Sequence, residues 1–523
     1  MKNIFKIMGI ALILWGCSAE TLDRAPLGDT EESFFDEPVD YFTLSLTAYS
    51  ELTDFYWWHG GSGNYLHGLW HMSGDDITSD NQFQDMELFT ASMSPTNGKI
   101  GEYWDRAYVL IGKANVMIDK TTSADRDAYE DPSFLDHIAG EGYFLRGYMF
   151  WKLYNKFGTA PLITERITTF DKIDNPKTEG VQLLDQAISD LEAAANLLPE
   201  SWDASNKGRV FANSARGMLV KALVFRGNYG GGNADYTQAL TVFNTINNSV
   251  TSLTPAYTDN FDVFDENNEE SLFEFQASEA TGLDNVWLDN GGPWRGVESM
   301  HAFWGFFDAS GSTADNDSGG NPWRITQKLS NAYGIDAGAP DPRLEFFMEA
   351  DRSFTKYGKA GFNELNGTGR GSRNNPRILR YSDVILMAAE AAARTNDLTT
   401  AVDLINDVRT RARDWATAVG APEITTTGEP ADRPASTDQA EVLDWVFDER
   451  WVELAGEEDA RWFDLKRMHE TGLVDLATWT ADDNGWSTDL ASPTQFNPNK
   501  LIWPIPQVEI DRNNAISTNN PGY

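Results

Sequence analysis

Tryptophan is the residue type whose placement suggests binding chemistry in this 523-residue chain. Seven of the 18 tryptophans lie in two windows, residues 57–70 and 287–323, which make up about a tenth of the sequence. An indole presents a flat apolar face that matches the C–H face of a pyranose ring, while its N–H remains free to donate a hydrogen bond. The two windows therefore predict a site that stacks sugar rings.

The candidate ligand-binding residues combine these aromatic side chains with nearby carboxylates and one guanidinium, which would orient sugar hydroxyls. They are Trp57, Trp58, Tyr65, Trp70, Asp75, Asp76, Trp287, Trp294, Arg295, Trp304 and Trp323. The alternative is that these aromatics only pack the loops onto the rest of the protein. Binding is the preferred interpretation, because large irregular loops rarely bury so many indoles. Three stacked rings, at about 0.5–1.5 kcal/mol each beyond burial, predict only micromolar to millimolar affinity.

Segments with a helical period flank the two windows and must position them. Tyr103, Ala107, Leu110, Ala114 and Met117 form one apolar stripe at i, i+3, i+4 and i+7 spacing. Further helices are predicted over residues 134–157, 181–198, 213–228, 235–247, 381–394 and 398–413. Because these helices form pairs joined by short turns, we predict a mainly α fold with a tetratricopeptide-like helical-repeat scaffold, long irregular loop insertions and few short strands.

The predicted scaffold covers about residues 33–54, 98–250 and 379–470 within a single domain, 33–523. Residues 55–97 and 278–378 interrupt it and are rich in Gly, Asn, Asp, Ser and aromatic residues. Loops of this length are uncommon in a compact domain unless they bind something or are disordered. We therefore interpret both segments as ligand-binding insertions.

The N-terminus has the features of a secretory signal peptide. Lys2 and Lys6 precede a short apolar run that ends in Leu14-Trp15-Gly16-Cys17. This ending resembles a bacterial lipobox, in which the cysteine is lipidated. We predict a signal peptide over residues 1–16, a lipid on Cys17 and a tether over 17–32; an ordinary signal peptide with a chance cysteine is the alternative.

Charge narrows the ligand class. The chain has 41 Lys+Arg against 80 Asp+Glu, a formal charge of −39, which becomes −41 when residues 1–16 are removed. Binding of a nucleic acid requires many basic contacts, so that role is excluded. A neutral glycan is favoured over an anionic one, because like charges repel over a Debye length of about 8 Å. A local group of basic residues opposes this argument, because it could attract an anionic ligand. It consists of Arg370, Arg373, Arg377 and Arg380, which we interpret as a solvated or Asp-paired loop.

Five ordered motifs carry a family resemblance. They are LRYSDVILMAAEA at Leu379–Ala391, ERWVEL at Glu449–Leu454, RWFDLKR at Arg461–Arg467, WPIP at Trp503–Pro506 and NPGY at Asn520–Tyr523. With the lipobox and the opening from Ala25-Pro26 to Phe34-Phe35, they resemble the SusD/RagB family of outer-membrane nutrient-binding lipoproteins. One departure is visible, since the turn between Glu457 and Arg461 has one residue more than the usual pattern. Helical spacing within these motifs predicts the ion pairs Arg450–Glu453, Glu457–Arg461 and Asp464–Arg467.

The resemblance implies a four-unit tetratricopeptide-like scaffold and a shallow glycan site formed by the insertions. It also implies a cell-surface lipoprotein of the outer membrane that delivers oligosaccharide to a SusC-like TonB-dependent transporter. A laminarin-type β-glucan is the preferred ligand, and RagB-like peptide binding is an alternative. No cofactor is expected.

Enzyme and metal motifs are weak in this sequence. His67 and His71 have a spacing that suits zinc, but the His-Glu-x-x-His pattern is absent. Asp315–Gly319 begins like a calcium loop that lacks its twelfth-position Glu. A glycoside hydrolase requires only two carboxylates about 5–9.5 Å apart, so it is the alternative from the enzyme class.

Overall fold

The structure is a computed structural model. It describes residues 34–56, 68–79, 83–277, 323–335, 340–347, 352, 356–357, 374–419, 428–480, 485–490 and 492–523. The predicted signal peptide, lipidated Cys17 and tether lie outside these residues. The chain divides after Leu44 into two compact units. The described part of the first is residues 34–44, where the rings of Phe35 and Tyr41 lie 5.2 Å apart. The second unit is Ser45–Tyr523.

Helices dominate the described residues. The N-terminal half contains α1 (Pro38–Glu51), α2 (Thr53–Tyr56), α3 (Gly68–His71), β1 (Ile77–Ser79), α4 (Gln84–Glu87), α5 (Gly98–Ser123), α6 (Ser133–Phe157), α7 (Gln182–Leu197), α8 (Ala212–Arg226), α9 (Asn233–Phe243) and β2 (Ser271–Glu274). The C-terminal half contains β3 (Trp323–Ile325), α10 (Gln327–Ala332), α11 (Pro342–Phe347), β4 (Arg377–Arg380), α12 (Tyr381–Arg394), α13 (Leu398–Val419), α14 (Gln439–Glu453), α15 (Ala460–Glu470) and α16 (Gln507–Arg512). The strands form two antiparallel pairs, β1 with β3 and β2 with β4.

Consecutive long helices pack against one another. Helix α6 contacts α5 and α7, α8 contacts α7 and α9, and α12 contacts α8, α9, α13 and α14. Stacking in which each helix pair contacts mainly its neighbours is the architecture of a tetratricopeptide-like scaffold. The prediction of a mainly α, helical-repeat fold is confirmed.

Apolar periodicity accounts for these helices. The whole stripe from Tyr103 to Met117 is buried in α5. Helix α12 begins and ends where the sequence predicts, and small side chains allow it to lie in the centre of the scaffold. At the crossing with α8, a Cβ on Gly217 would lie 2.8 Å from Leu272 and 3.0 Å from Val384. Glycine at this position therefore allows α8 to lie close to α12 without displacing these two side chains.

A buried network of charges holds the C-terminal elements together. Glu453, at the end of α14, accepts hydrogen bonds from Arg343 at 2.7 Å, Arg380 at 2.9 Å and Arg411 at 2.5 Å. Arg380 and Arg411 both also donate to Glu270 at 2.6 Å. Burial alone would raise the pKa of Glu453, but the three guanidinium groups hold it below its ordinary value. The network therefore depends on Glu453 remaining ionised.

Several expectations about charged residues were wrong. Arg377 and Arg380 do not lie in a solvated or Asp-paired loop, because they form the ends of β4 and are buried. Asp464 pairs with Arg467 at 2.5 Å as predicted. Arg450, however, pairs with Asp383 at 2.6 Å and with Asp464 at 2.7 Å instead of with Glu453. These side chains face the interior, where partners come from other elements.

The Glu453→Gln variant tests the energetic importance of the network. We expect the free energy of unfolding to fall by about 3–5 kcal/mol, because three buried arginines lose a shared counter-charge. Urea denaturation followed by circular dichroism measures this change. The control is Glu441→Gln, at an exposed position of the same helix, for which a change within about 0.5 kcal/mol is expected. Equal effects of the two substitutions would contradict this account.

Candidate functional site

The pairing of β1 with β3 joins the two segments that the sequence singles out as ligand-binding insertions. Ser79 lies opposite Trp323, and Ile77 lies opposite Ile325. Thr326 extends the junction, since its backbone N–H donates to the carbonyl of Asp76 at 2.8 Å. The candidate residues Asp76 and Trp323 therefore lie at opposite ends of one short ladder.

Most of the predicted aromatic residues lie outside the described residues. These are Trp57, Trp58, Tyr65, Trp287, Trp294, Arg295 and Trp304. For two others the structure describes only the backbone: Trp70 lies in α3, and Trp323 is the first residue of β3. Their role in stacking a ligand stays a prediction.

Asp75 is buried at the base of β1 and is held by two cations. Its carboxylate accepts hydrogen bonds from Arg461 Nε at 2.6 Å and from Lys328 Nζ at 2.5 Å. Burial would raise the pKa of Asp75, but Arg461 and Lys328 hold it below its ordinary value. The predicted pairing of Arg461 with Glu457 is replaced by this contact, which links α15 to the first insertion.

Asp76 has a different environment. Its side chain is 2% exposed, and among the described residues its Oδ1 has no hydrogen-bond partner. Burial, with the neighbouring Asp75 as the second cause, raises the pKa of Asp76 to about 7, although Arg461 opposes the shift. A Cβ on Gly74 would lie only 2.4 Å from this Oδ1, so a larger residue there would displace the Asp76 side chain. Both aspartates are enclosed beside the ladder, and their direct contact with a ligand stays a prediction.

A group of cations and indoles lies behind the ladder, and sequence reasoning missed it. The guanidinium carbon of Arg461 lies 3.8 Å from the ring centre of Trp451. Lys328 Nζ lies 4.1 Å from the ring centre of Trp479 and 5.6 Å from that of Trp451. Cations at these distances from aromatic faces are attracted by the ring quadrupole. No local spacing in the sequence indicates these contacts, because the partners come from α10, α14, α15 and the segment before residue 480.

The turn into α15 contains the extra residue noted in the sequence. Asp459 there adopts a left-handed conformation, with φ of 54°, and Gly456 has φ of 69°. Asp459 forms ion pairs with Lys156 at 2.6 Å and Lys152 at 3.2 Å. These contacts compensate for a backbone conformation that non-glycine residues rarely adopt.

The described part of the chain contains neither a metal-binding group of side chains nor a membrane-spanning helix. Within it, no group of three or more His, Cys, Asp or Glu side chains is arranged to hold a metal ion. The helices described there are too short or too polar to cross a bilayer.

Comparisons with known proteins decide the family. Residues 47–222 match the family model described as "Starch-binding associating with outer membrane", and residues 333–523 match that of the SusD family. The chain belongs to the SusD/RagB family. Among curated SusD/RagB relatives, SusD-like protein P2 of Formosa agariphila is 25% identical over 537 residues, covering 99% of each chain.

Solved structures of SusD proteins share the fold. A SusD superfamily protein from Parabacteroides distasonis superposes with a TM-score of 0.70 at 20% identity, covering 93% of this chain and 99% of the other. A SusD homolog from Bacteroides thetaiotaomicron gives 0.71 at 19% identity, with 95% and 99% covered. A structure described as a laminarin-binding SusD-like protein gives 0.68 at 21% identity, with 93% and 99% covered. The SusD/RagB family is thus supported by sequence and fold together.

The Asp76→Asn variant tests the raised pKa of the buried carboxyl beside β1. The unfolded chain releases the Asp76 proton near pH 4, whereas the folded protein keeps it until about pH 7. Between these pH values, Asp76 ionises in the unfolded chain but not in the folded protein, so the free energy of unfolding falls as the pH rises. Above about pH 7 the loss of stability from Asp76 stays constant. We expect Asp76→Asn to raise the melting temperature little near pH 4 and most at or above about pH 7.

Melting curves of the native protein and the variant at acidic, neutral and mildly alkaline pH measure this difference. Asp414→Asn, at an exposed position of α13, is the control, and we expect it to change the melting temperature little at any of these pH values. A gain from Asp76→Asn that is equal at every pH would disprove the assignment.

Proposed function

We propose that this SusD/RagB protein binds neutral oligo- or polysaccharides by aromatic stacking and delivers them to a SusC-like TonB-dependent transporter. The observation that carries the proposal is the β1–β3 ladder, which joins the ends of the two tryptophan-rich insertions. The family description as starch-binding and associated with the outer membrane supports the same ligand class.

Stacking suits a protein that must release its ligand. Trp57, Trp58, Trp287, Trp294 and Trp323 are the candidates for the stacking surface. A few stacked rings supply only about 4–8 kcal/mol of binding free energy, which corresponds to millimolar to micromolar dissociation constants. Affinity in this range permits transfer to the transporter.

The overall charge supports a neutral glycan. An anionic polysaccharide would approach a chain of net charge −39 against electrostatic repulsion. A laminarin-type β-glucan is our specific proposal, and the fold similarity to a structure described as laminarin-binding is compatible with it. Peptide binding is the alternative within the family.

Glycoside hydrolysis is the alternative from the enzyme class, and one observation bears on it. Asp75 and Asp76 have pKa values shifted in opposite directions, as an acid and a base often do. Their side chains are 1% and 2% exposed, however, and Asp75 is paired with Arg461 and Lys328. Enclosure of both carboxyl groups favours binding without catalysis.

The proposal extends to the location of the protein. Lipidation of Cys17 would attach it to the outer membrane, and cell-surface exposure would allow it to meet polysaccharide before the transporter does. Labelling with a radioactive fatty acid, compared between the native chain and Cys17→Ala, tests the anchor.

The Trp294→Ala variant tests the binding site. We expect its dissociation constant for laminarin-derived oligosaccharides, measured by isothermal titration calorimetry, to increase about tenfold through loss of one stacking face. The matched control is Phe170→Ala, which removes an aromatic ring that is 91% exposed and outside both windows. Alginate-derived oligosaccharides should give no binding heat to the native protein.

Other results would identify the alternatives. Release of reducing ends from laminarin by the pure protein would indicate a hydrolase. Heat with oligopeptides and none with glycans would indicate peptide binding. Absence of binding to every neutral and anionic glycan tested would refute the proposed function.

A further inference from the structure

The β1–β3 ladder depends on the backbone of the two aspartates that precede β1. The backbone N–H of Thr326 donates to the carbonyl of Asp76 at 2.8 Å, and the Thr326 hydroxyl donates to the carbonyl of Asp75 at 2.7 Å. Within the described residues, the ladder itself has three residue pairs. The two bonds from Thr326 are therefore a large part of the pairing, and a movement of the two aspartates breaks both.

The carboxyl group of Asp76 is buried inside this junction. Its Oδ1 lies so close to the backbone of Gly74 that a Cβ there would be 2.4 Å away, and Oδ1 has no hydrogen-bond partner among the described residues. A buried carboxylate with incomplete hydrogen bonding is much less stable than a neutral carboxyl in the same place. Burial, followed by the charge of Asp75, accordingly raises the pKa of Asp76 to about 7. The junction accommodates the protonated form.

The two cations beside the junction are occupied by the other aspartate. Arg461 of α15 opposes the raised pKa of Asp76, but its Nε and Nη2 donate to Asp75 at 2.6 and 3.1 Å. Lys328 of α10 donates to Asp75 and to the carbonyl of Gly485, both at 2.5 Å. An ionised Asp76 would therefore have to compete with Asp75 for these two side chains.

Other titratable groups of the first insertion add to this effect. Thr78 of β1 donates to Glu87 of α4 at 2.6 Å, and both side chains are buried. His71 is also buried, at the end of α3. A negative charge on Asp76 would thus join those of Asp75 and Glu87 in a region of low solvent access, where like charges disfavour ionisation.

Ionisation of Asp76 therefore favours separation of the junction. A separated backbone exposes the carboxyl to water, where an aspartate has its ordinary pKa near 4. Below about pH 4 the carboxyl is neutral in both arrangements, and pH has no effect on the pairing. Between about pH 4 and 7 only the separated form ionises, so the ratio of paired to separated ladder falls by up to about tenfold for each pH unit. Above about pH 7 the ratio stays constant.

We propose that Asp76 is a positioning residue of the glycan site: its neutral carboxyl keeps β1 paired with β3, and its ionisation weakens glycan binding by separating the two strands. The inference rests on the proposed function, because the ladder fixes the described ends of the two insertions that are proposed to stack the sugar. When the binding-competent arrangement is only partly populated, the apparent affinity falls in proportion. A neutral glycan has no group that titrates in this range, so the pH dependence originates in the protein.

The pH profile of glycan binding tests this role, by isothermal titration calorimetry of the full chain with laminarin-derived oligosaccharides. We expect the dissociation constant of the native protein to rise about tenfold between about pH 5 and pH 8, and that of Asp76→Asn, which cannot ionise, to change less than about twofold. Lys466, whose pKa burial lowers to about 7, titrates in the same range, so the comparison with Asp76→Asn assigns the effect.

The matched control is Asp259→Asn, in the short helical turn Tyr257–Phe261. The pKa of Asp259 is also raised, by burial and by neighbouring carboxylates, but this residue lies outside the ladder. We expect the variant to retain the pH dependence of the native protein.

Hydrogen–deuterium exchange followed by mass spectrometry gives a second measurement that needs no ligand. Comparison of the native protein with Asp76→Asn at one pH cancels the intrinsic pH dependence of exchange. We expect a peptide that contains Thr326 to exchange at least about fivefold faster in the native protein at about pH 8, and at a similar rate at about pH 5. A peptide around Leu386, buried in α12, reports global unfolding and should show no such difference. Within the native protein alone, the ratio of exchange at Thr326 to that at Leu386 should rise with pH, a result that does not require the variant to fold.

The outcomes separate this inference from the proposed function. Glycan binding with the same pH profile in the native protein and in Asp76→Asn would overturn the role of Asp76 and leave the proposed function intact. Equal differences in exchange at Thr326 and Leu386 would also overturn it, because ionisation would then act through global unfolding. Loss of the pH dependence in Asp259→Asn would do the same. Absence of glycan binding at every pH would refute the proposed function and, with it, the inference.

Discussion

The carboxylate of Glu453 is the constraint on which the C-terminal half of this fold depends. Arg343, Arg380 and Arg411 reach it from three different parts of the chain. Charges in a protein interior are tolerated only when they are paired and hydrogen-bonded. The elements that carry these arginines therefore have little freedom to move independently of α14, and apolar packing alone would not specify their positions so narrowly.

Helix α14 also connects the Glu453 network to the candidate site. Glu453 lies near the end of α14, and Val452 beside it accepts a hydrogen bond from the hydroxyl of Tyr333 at 2.6 Å. Trp451 contacts Arg461, whose other partner is Asp75 at the start of the first ladder strand. A continuous series of contacts thus connects the scaffold to β1. It consists of the buried charge network, Trp451 and Arg461. The described ends of the two insertions, at β1 and β3, are therefore connected to the scaffold, as placement of a binding site requires.

Local patterns in the sequence predicted the helices well and the interior charges poorly. Helix α12 agrees with its predicted bounds, because apolar spacing and turn residues act over a few neighbouring positions. Arg450 and Glu453 stand at helical spacing, yet each pairs with residues from other elements. Spacing along one helix carries no information about partners brought near by tertiary packing. For the same reason, the sequence suggested that two tryptophan-rich windows form one site but did not indicate that Ser79 and Trp323 pair.

The distribution of basic residues bears on the proposed charge of the ligand. Arg343, Lys356, Arg380, Arg411 and Arg467 are all buried, each in an ion pair with at least one carboxylate. Pairing in the interior removes these cations from the surface, where they would otherwise attract an anionic polysaccharide. Their carboxylate partners are buried with them, so these ion pairs leave the net charge of the chain unchanged. The buried arginines therefore stabilise the fold without opposing the acidic excess of −39, on which the proposal of a neutral glycan rests.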